Sequence, residues 1–163
     1  MKKLLRMSVF LFLLAGCVSL ASADFVSVSF ADFKGDTETQ EFDINFSWVE
    51  KLTSDGHLYA GVNFPNGAVI KNMRVLVKDN SAASDVTVRL IRVNMYLGSG
   101  ESIFQVSSSG SSTSVQSLVD SSTGLASNRK VYTNVLTYGV QLEFSGGDNY
   151  IDVYGVVFEY ELN

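Results

Sequence analysis

Apolar and polar residues alternate with a period of two along most of this chain, and that pattern predicts strands. It is clearest late in the sequence, where Tyr138, Val140, Leu142 and Phe144 alternate with Gly139, Gln141 and Glu143. Ser145-Gly146-Gly147-Asp148 reads as a turn, and beyond it Tyr154, Val156, Phe158, Tyr160 and Leu162 share one face opposite Glu159 and Glu161. Two such segments around a Gly/Ser/Asp turn predict an antiparallel hairpin. Ile151, Val153 and Val157 make the second face of the last strand partly apolar, as a central strand requires.

The same pattern recurs upstream. Val26, Val28 and Phe30 alternate with Ser27 and Ser29, and residues 41–48 (EFDINFSW) alternate similarly. Pro65-Asn66-Gly67 predicts a turn between a strand over residues 57–64 and another over 68–78, in which Met73, Val75 and Val77 face inward. Asp79-Asn80-Ser81 breaks that strand. A further strand over 85–96 places Val86, Val88 and Leu90 opposite Thr87 and Arg89, and Leu97–Glu101 turns the chain into a strand over 102–106. Residues 107–128 are rich in Ser and Gly and read as a long polar loop with one short strand near 115–119. No segment carries a sustained 3.6-residue apolar period. About eight strands with short turns predict an all-β fold, a single antiparallel β-sandwich of jelly-roll type over residues 24–163.

Residues 1–23 have a different character. Lys2, Lys3 and Arg6 precede the apolar run MSVFLFLL, and Ala21-Ser22-Ala23 stands ahead of Asp24, the layout of a cleaved export signal. The apolar run is shorter than the roughly 20 residues a spanning helix needs. Leu14-Ala15-Gly16-Cys17 resembles the lipobox of bacterial lipoproteins, and the chain's single Cys stands there. Lipidation at Cys17 is therefore slightly favoured over a soluble protein cut after Ala23, and both stay open. Either cut removes three of the 12 basic residues and none of the 17 acidic ones.

Composition narrows the chemistry further. One Cys and one His in 163 residues exclude an internal disulfide, a Cys-rich zinc module and a two-His centre. A formal charge of −5 offers no basic footprint for nucleic acid. The 46% apolar content suffices for a packed core.

A resemblance rests on Val62–Leu90, VNFPNGAVIKNMRVLVKDNSAASDVTVRL. This run looks like a pattern in uncharacterised secreted bacterial β-sandwich domains, where a turn of Leu or Phe, Pro, Asp or Asn, Gly and Ala precedes a strand ending in Asp-Asn-Ser and a VTVRL strand follows. The Ser-rich loop and the closing VVFEYEL strand are similar too, so the resemblance spans about residues 58–162. It implies a sandwich and export, and no catalytic residues.

Candidate chemistry is sparse. His57 lacks a G-x-S-x-G nucleophile partner and reads as a surface-turn histidine. Asp79, Asn80 and Asp85 around one loop, and Asp148, Asn149 and Asp152 around another, offer hard oxygen donors for calcium. Asp and Asn also build turns unaided, so the expectation is no cofactor. Among the aromatics, Trp48, Tyr59 and Tyr96 near strand ends are the candidates for ligand contact, because the others alternate into the core. Asn45-Phe46-Ser47 matches a glycosylation sequon, read as idle in a strand, and Arg129-Lys130 reads as a solvated basic spot. These features predict an exported, non-enzymatic β-sandwich of the bacterial envelope or exterior. It would bind carbohydrate or assemble with an envelope protein, touching a membrane only through a lipid on Cys17. A secreted hydrolase with a carboxylate site on sandwich loops is the alternative.

Overall fold

Two antiparallel sheets face each other, built from strands whose alternate residues are buried between them. The structure, a computed structural model, describes residues 23–35, 42–44, 47–51, 56–121, 129–146 and 150–162. The leader, Cys17, Asn45, Asp148 and Asn149 lie outside the described residues. Eleven strands occur among the described residues: β1 (Asp24–Ser29), β2 (Lys34–Gly35), β3 (Phe42–Ile44), β4 (Val49–Lys51), β5 (Gly56–Gly61), β6 (Ala68–Asp79), β7 (Asp85–Asn94), β8 (Gly100–Ser107), β9 (Gln116–Asp120), β10 (Leu136–Ser145) and β11 (Ile151–Leu162). Those beyond the expected eight are mostly two or three residues long, too short to show an alternation.

One sheet runs β3-β4-β11-β6-β9, with β1 also paired to β11; the other runs β2-β5-β10-β7-β8. In the first, β6 lines one edge of β11 throughout. On the other edge β4 meets Val153 and β1 meets residues 155–160. From β5 onward only β7 and β8 are both consecutive and paired, and every other connection crosses between the sheets. This is the jelly-roll pattern expected.

The hairpin predicted around Ser145-Gly146 does not form. β10 pairs with β5 and β7, β11 belongs to the opposite sheet, and the turn is a corner between them. Alternation shows that each strand has one buried face, which is equally true of neighbours in a sheet and of strands facing each other across the core. Gly146 makes the corner possible: its φ is +81°, and a Cβ there would lie 2.7 Å from the Ala83 carbonyl oxygen.

The faces of β11 also differ from the expectation. Ile151 and Val153 are buried, and so are Val156 and Phe158, so the inward face changes phase between them. A bulge against β6 between Val153 and Gly155 supplies the extra residue that flips it. Gly155 occupies that bulge with φ +156°, and a Cβ there would stand 3.1 Å from the Val28 carbonyl oxygen in β1. Tyr154 consequently leaves the core face and approaches Trp48.

Between the sheets, Met73, Val75 and Val77 of β6 meet Val86, Val88 and Leu90 of β7 and Val140, Leu142 and Phe144 of β10, all buried as their alternation predicts. Phe64, in the segment joining the sheets, sets its ring edge-to-face against Tyr138 at 5.5 Å and Phe158 at 5.3 Å. Burial pushes the Tyr138 phenol up, and its oxygen accepts a hydrogen bond from the Tyr132 N–H at 3.1 Å. Arg129 is not a solvated loop residue. Its guanidinium lies 5.1 Å from the Phe104 ring centroid, and its backbone carbonyl accepts from the Ile70 N–H on β6.

Candidate functional site

The outer face of the five-stranded sheet carries the most organised array of exposed side chains among the described residues. Cross-strand register places Lys34, Tyr59, Gln141, Arg89 and Gln105 in one row across β2, β5, β10, β7 and β8. Tyr59, Gln141, Arg89 and Gln105 belong to the outward half of their strands' alternation, so the pleat fixes their direction, and exposed Lys34 is the cross-strand partner of Tyr59. Gln141 Nε2 donates to Tyr59 Oη at 2.8 Å. Arg89 Nε donates to Gln105 Oε1 at 2.9 Å, and its Nη1 donates to Gln141 Oε1 at 3.3 Å and to Glu143.

Behind this row stands a second, of His57, Glu143, Thr87 and Ser107. The Arg89 hydrogen bond holds the Glu143 carboxyl below the usual carboxylate range, against a smaller opposing push from burial. His57 is not an isolated turn histidine: it lies within β5, its Nε2 is 3.7 Å from Glu143 Oε1, and its ring is 6.1 Å from that of Tyr59. The network locks rotamers and leaves capacity unspent. Among the described residues the Tyr59 O–H, the second Gln141 N–H and the Gln105 amide NH₂ meet no acceptor.

Ahead of the row the face sinks into a recess of about 300 Å³ walled by Tyr59, Ile91 and Val93. Its floor is backbone, because Gly61 and Gly139 are cross-strand partners and neither has a side chain. Tyr59, 40% exposed, therefore presents a ring beside a mostly apolar hollow with hydrogen-bonding groups next to it. A second recess is lined by Ser27, Asp32, Lys34, Gly61 and Asn63 among others, and shares Gly61 with the first. A third hollow, at the β7–β8 end, holds the Arg92–Glu101 ion pair and Tyr132.

The three aromatics singled out from the sequence do not converge. Tyr59 lies at the site just described. Trp48 precedes β4 in the other sheet, half-buried, with its ring 6.0 Å from Tyr154 and its Nε1 enclosed without an acceptor among the described residues. Tyr96 stands 79% exposed at the β7–β8 turn, which Asn94 shapes by accepting the N–H groups of Tyr96 and Leu97 on its side-chain oxygen.

The oxygen-donor residues are likewise dispersed. Asp79 is fully buried; its Oδ1 accepts from the Ser81 N–H at 3.0 Å, while Oδ2 has no hydrogen-bond partner among the described residues. Asn80 and Asp85 are exposed, and Asp152 faces Lys78 at 3.7 Å. Among the described residues no three His, Cys, Asp or Glu side chains gather as a metal-holding group. One carboxylate row does exist on the six-stranded sheet, where Asp43 pairs with Glu50 beside Asp152. Burial pushes the Glu50 carboxyl up, and Asp152 and then Asp43 push it further. The three recesses above are lined by other residues.

Known structures share this architecture. Over 85% of this chain and 97% of its own, the xylan-binding module CBM15 superposes with a TM-score of 0.50 at 12% identity. A family 6 carbohydrate-binding module superposes with a TM-score of 0.51 at 11% identity, covering 82% of this chain and 92% of its own. The likeness is one of fold. No protein-family model matches the chain, and no curated protein matches it by sequence.

Sequence reasoning missed Arg89, Gln105, Gln141, Gly61 and Gly139. A glycine inside an otherwise regular strand alternation is a signal for close approach of a ligand or backbone, and Gly61 and Gly139 both carried it. The rest depend on register between strands far apart in the chain.

Proposed function

We propose that this chain is a non-catalytic glycan-binding module whose ligand lies on the outer face of the five-stranded sheet. The observation that carries the reading is Tyr59, an exposed ring at the lip of a backbone-floored recess, tied by Gln141 and Arg89 into a fixed row of donors and acceptors. Sugars present apolar C–H faces edged by hydroxyls, and they suit an aromatic platform next to rigid polar groups. The architecture shared with two carbohydrate-binding modules supports the same reading. Affinity electrophoresis against soluble xylan, mixed-linkage glucan, galactan and mannan tests it. Retention by at least one is expected, weakened roughly 30-fold in Tyr59→Ala, a central aromatic contact being worth about 2 kcal/mol. Tyr96→Ala is expected to bind as wild type. No retention by any glycan, or retention unchanged by Tyr59→Ala, would refute the site.

The reading extends to delivery and chemistry. Such a module works outside the cytoplasm, either tethered by a lipid on Cys17 or released after Ala23, and the intact mass of the mature protein distinguishes the two. The purified protein is expected to leave ester and glycoside substrates unchanged. Turnover abolished by Glu50→Gln would instead favour a hydrolase centred on the carboxylate row.

A further inference from the structure

Gly61 is a glycine without a structural reason. Its φ is not among the positive ones, so the backbone does not demand it. A Cβ there would meet nothing within 4 Å, so packing does not demand it either. Gly139 opposite differs, because its Cβ would press to 3.3 Å from the Ala60 carbonyl oxygen. A strand glycine weakens the strand that holds it, and it commonly marks a place where something passes close to the backbone. What Gly61 borders is informative: it lines both the recess beside Tyr59 and the recess beside Lys34 and Asn63.

We infer that Gly61 is the saddle of a continuous groove, and that the ligand is an internal stretch of a linear, neutral glycan occupying both recesses at once. This rests on the glycan-binding reading and specifies which glycans satisfy it. The path runs across the strands, from Ile91 on β7 over Gly139 and Gly61 toward β2, a span of roughly 14 Å at the usual strand spacing. At the β7 end the residues facing Ile91 and Val93 on β8 are Ser102 and Gly100, so no large side chain stops a chain from continuing. Charge along the path is balanced. Lys34 and Asp32 share the second recess, and Arg89 is paired with Glu143 beside the first. A polyanion finds no net positive surface there, and a neutral chain meets no uncompensated charge.

Titration calorimetry with an oligosaccharide series, di- to hexasaccharide, cut from whichever polysaccharide is retained, tests the inference. Affinity is expected to rise at least tenfold along the series, and reduction of the terminal sugar to its alditol is expected to leave hexasaccharide binding unchanged. Gly61→Val, which suits a strand, is expected to lower hexasaccharide affinity at least tenfold and by a larger factor than disaccharide affinity, because the short ligand meets the new side chain only at the edge of one recess while the long one must pass over it. Gly61→Ser serves as a smaller block, with circular dichroism confirming that both variants fold. Equal affinity along the series, equal loss of short and long ligands in Gly61→Val, or preference for polygalacturonate over neutral chains would overturn it while leaving the Tyr59 site standing. A protein that binds no glycan removes both.

Discussion

Two glycines with similar backbone angles and different surroundings give a quantitative test of the corner between β10 and β11. Gly67 has φ +84° and open space around its missing side chain. Gly146 has φ +81°, but a Cβ there would lie 2.3 Å from Ser84 Oγ, 2.7 Å from the Ala83 carbonyl oxygen and 3.0 Å from the Ser84 Cα. Alanine at either position bears the left-handed penalty, roughly 1 kcal/mol or somewhat more. At Gly67 nothing else is lost. At Gly146 the Ser84 hydroxyl can turn aside, but the two backbone atoms can yield only if the β6–β7 loop moves, an overpacking cost of about 2 kcal/mol. Gly146→Ala should therefore cost about 3 kcal/mol, against about 1 kcal/mol for Gly67→Ala. In thermal unfolding followed by circular dichroism that corresponds to losses of roughly 10 °C and 4 °C in Tm. The comparison cancels the backbone penalty and isolates the contact with the β6–β7 loop. A turn projecting into solvent, as in the hairpin that the local sequence suggests, would give equal losses. Equal Tm values for the two variants would refute the corner and, with it, the separation of β10 and β11 into opposite sheets.

Glu50 and Glu143 should respond oppositely to pH. Because burial and the neighbouring Asp152 and Asp43 raise the Glu50 pKa in the fold, its ionised form destabilises the native state at neutral pH, and that burden lifts as pH falls through its raised pKa. Urea midpoints should thus show Glu50→Gln more stable than wild type at pH 7, with the gain disappearing in acid. The depressed Glu143 pKa contributes stability above its unfolded value that is lost as pH falls through the folded one, so Arg89→Met should be more destabilising at pH 7 than at low pH, where only its bonds to Gln105 and Gln141 are lost. Phe158, fully buried between the sheets, should cost about 3–5 kcal/mol on truncation to alanine, read from denaturant midpoints at unchanged m-value. Asp120, whose Oδ2 accepts the Gln105 N–H at 2.9 Å, shields the open edge of β8, and Asp120→Ala should accelerate hydrogen exchange at Gln105 specifically.

Much of the sandwich was legible because its long strands bury one face each. Met73 through Val77, Val86 through Leu90 and Tyr138 through Phe144 all face inward as their alternation says. What alternation cannot carry is the partner of a strand, since a residue facing the core looks the same whichever sheet presents it. The Ser145-Gly146 turn was misread for that reason. The phase change in β11 was hidden because a bulge adds a residue without altering composition, so Ile151 and Val153 fell on the outer side when counted back from Phe158. At the site, Tyr59 was visible as an aromatic near a strand end. Its recess was not, because it depends on Gly61 and Gly139 lying opposite each other although 78 positions of sequence separate them.

The place of β11 has a consequence for how the molecule comes into being. It is the strand against which β6, β4 and β1 all pair, and β1 lies at the far end of the described sequence from it. Loop closure over that distance must come before the pairing that rewards it, the regime in which all-β domains fold in milliseconds to seconds rather than microseconds. A growing chain can build β7 against β8 early, but its six-stranded sheet has no centre until synthesis has reached β11. Until then β1 and β6 are strands without their shared neighbour.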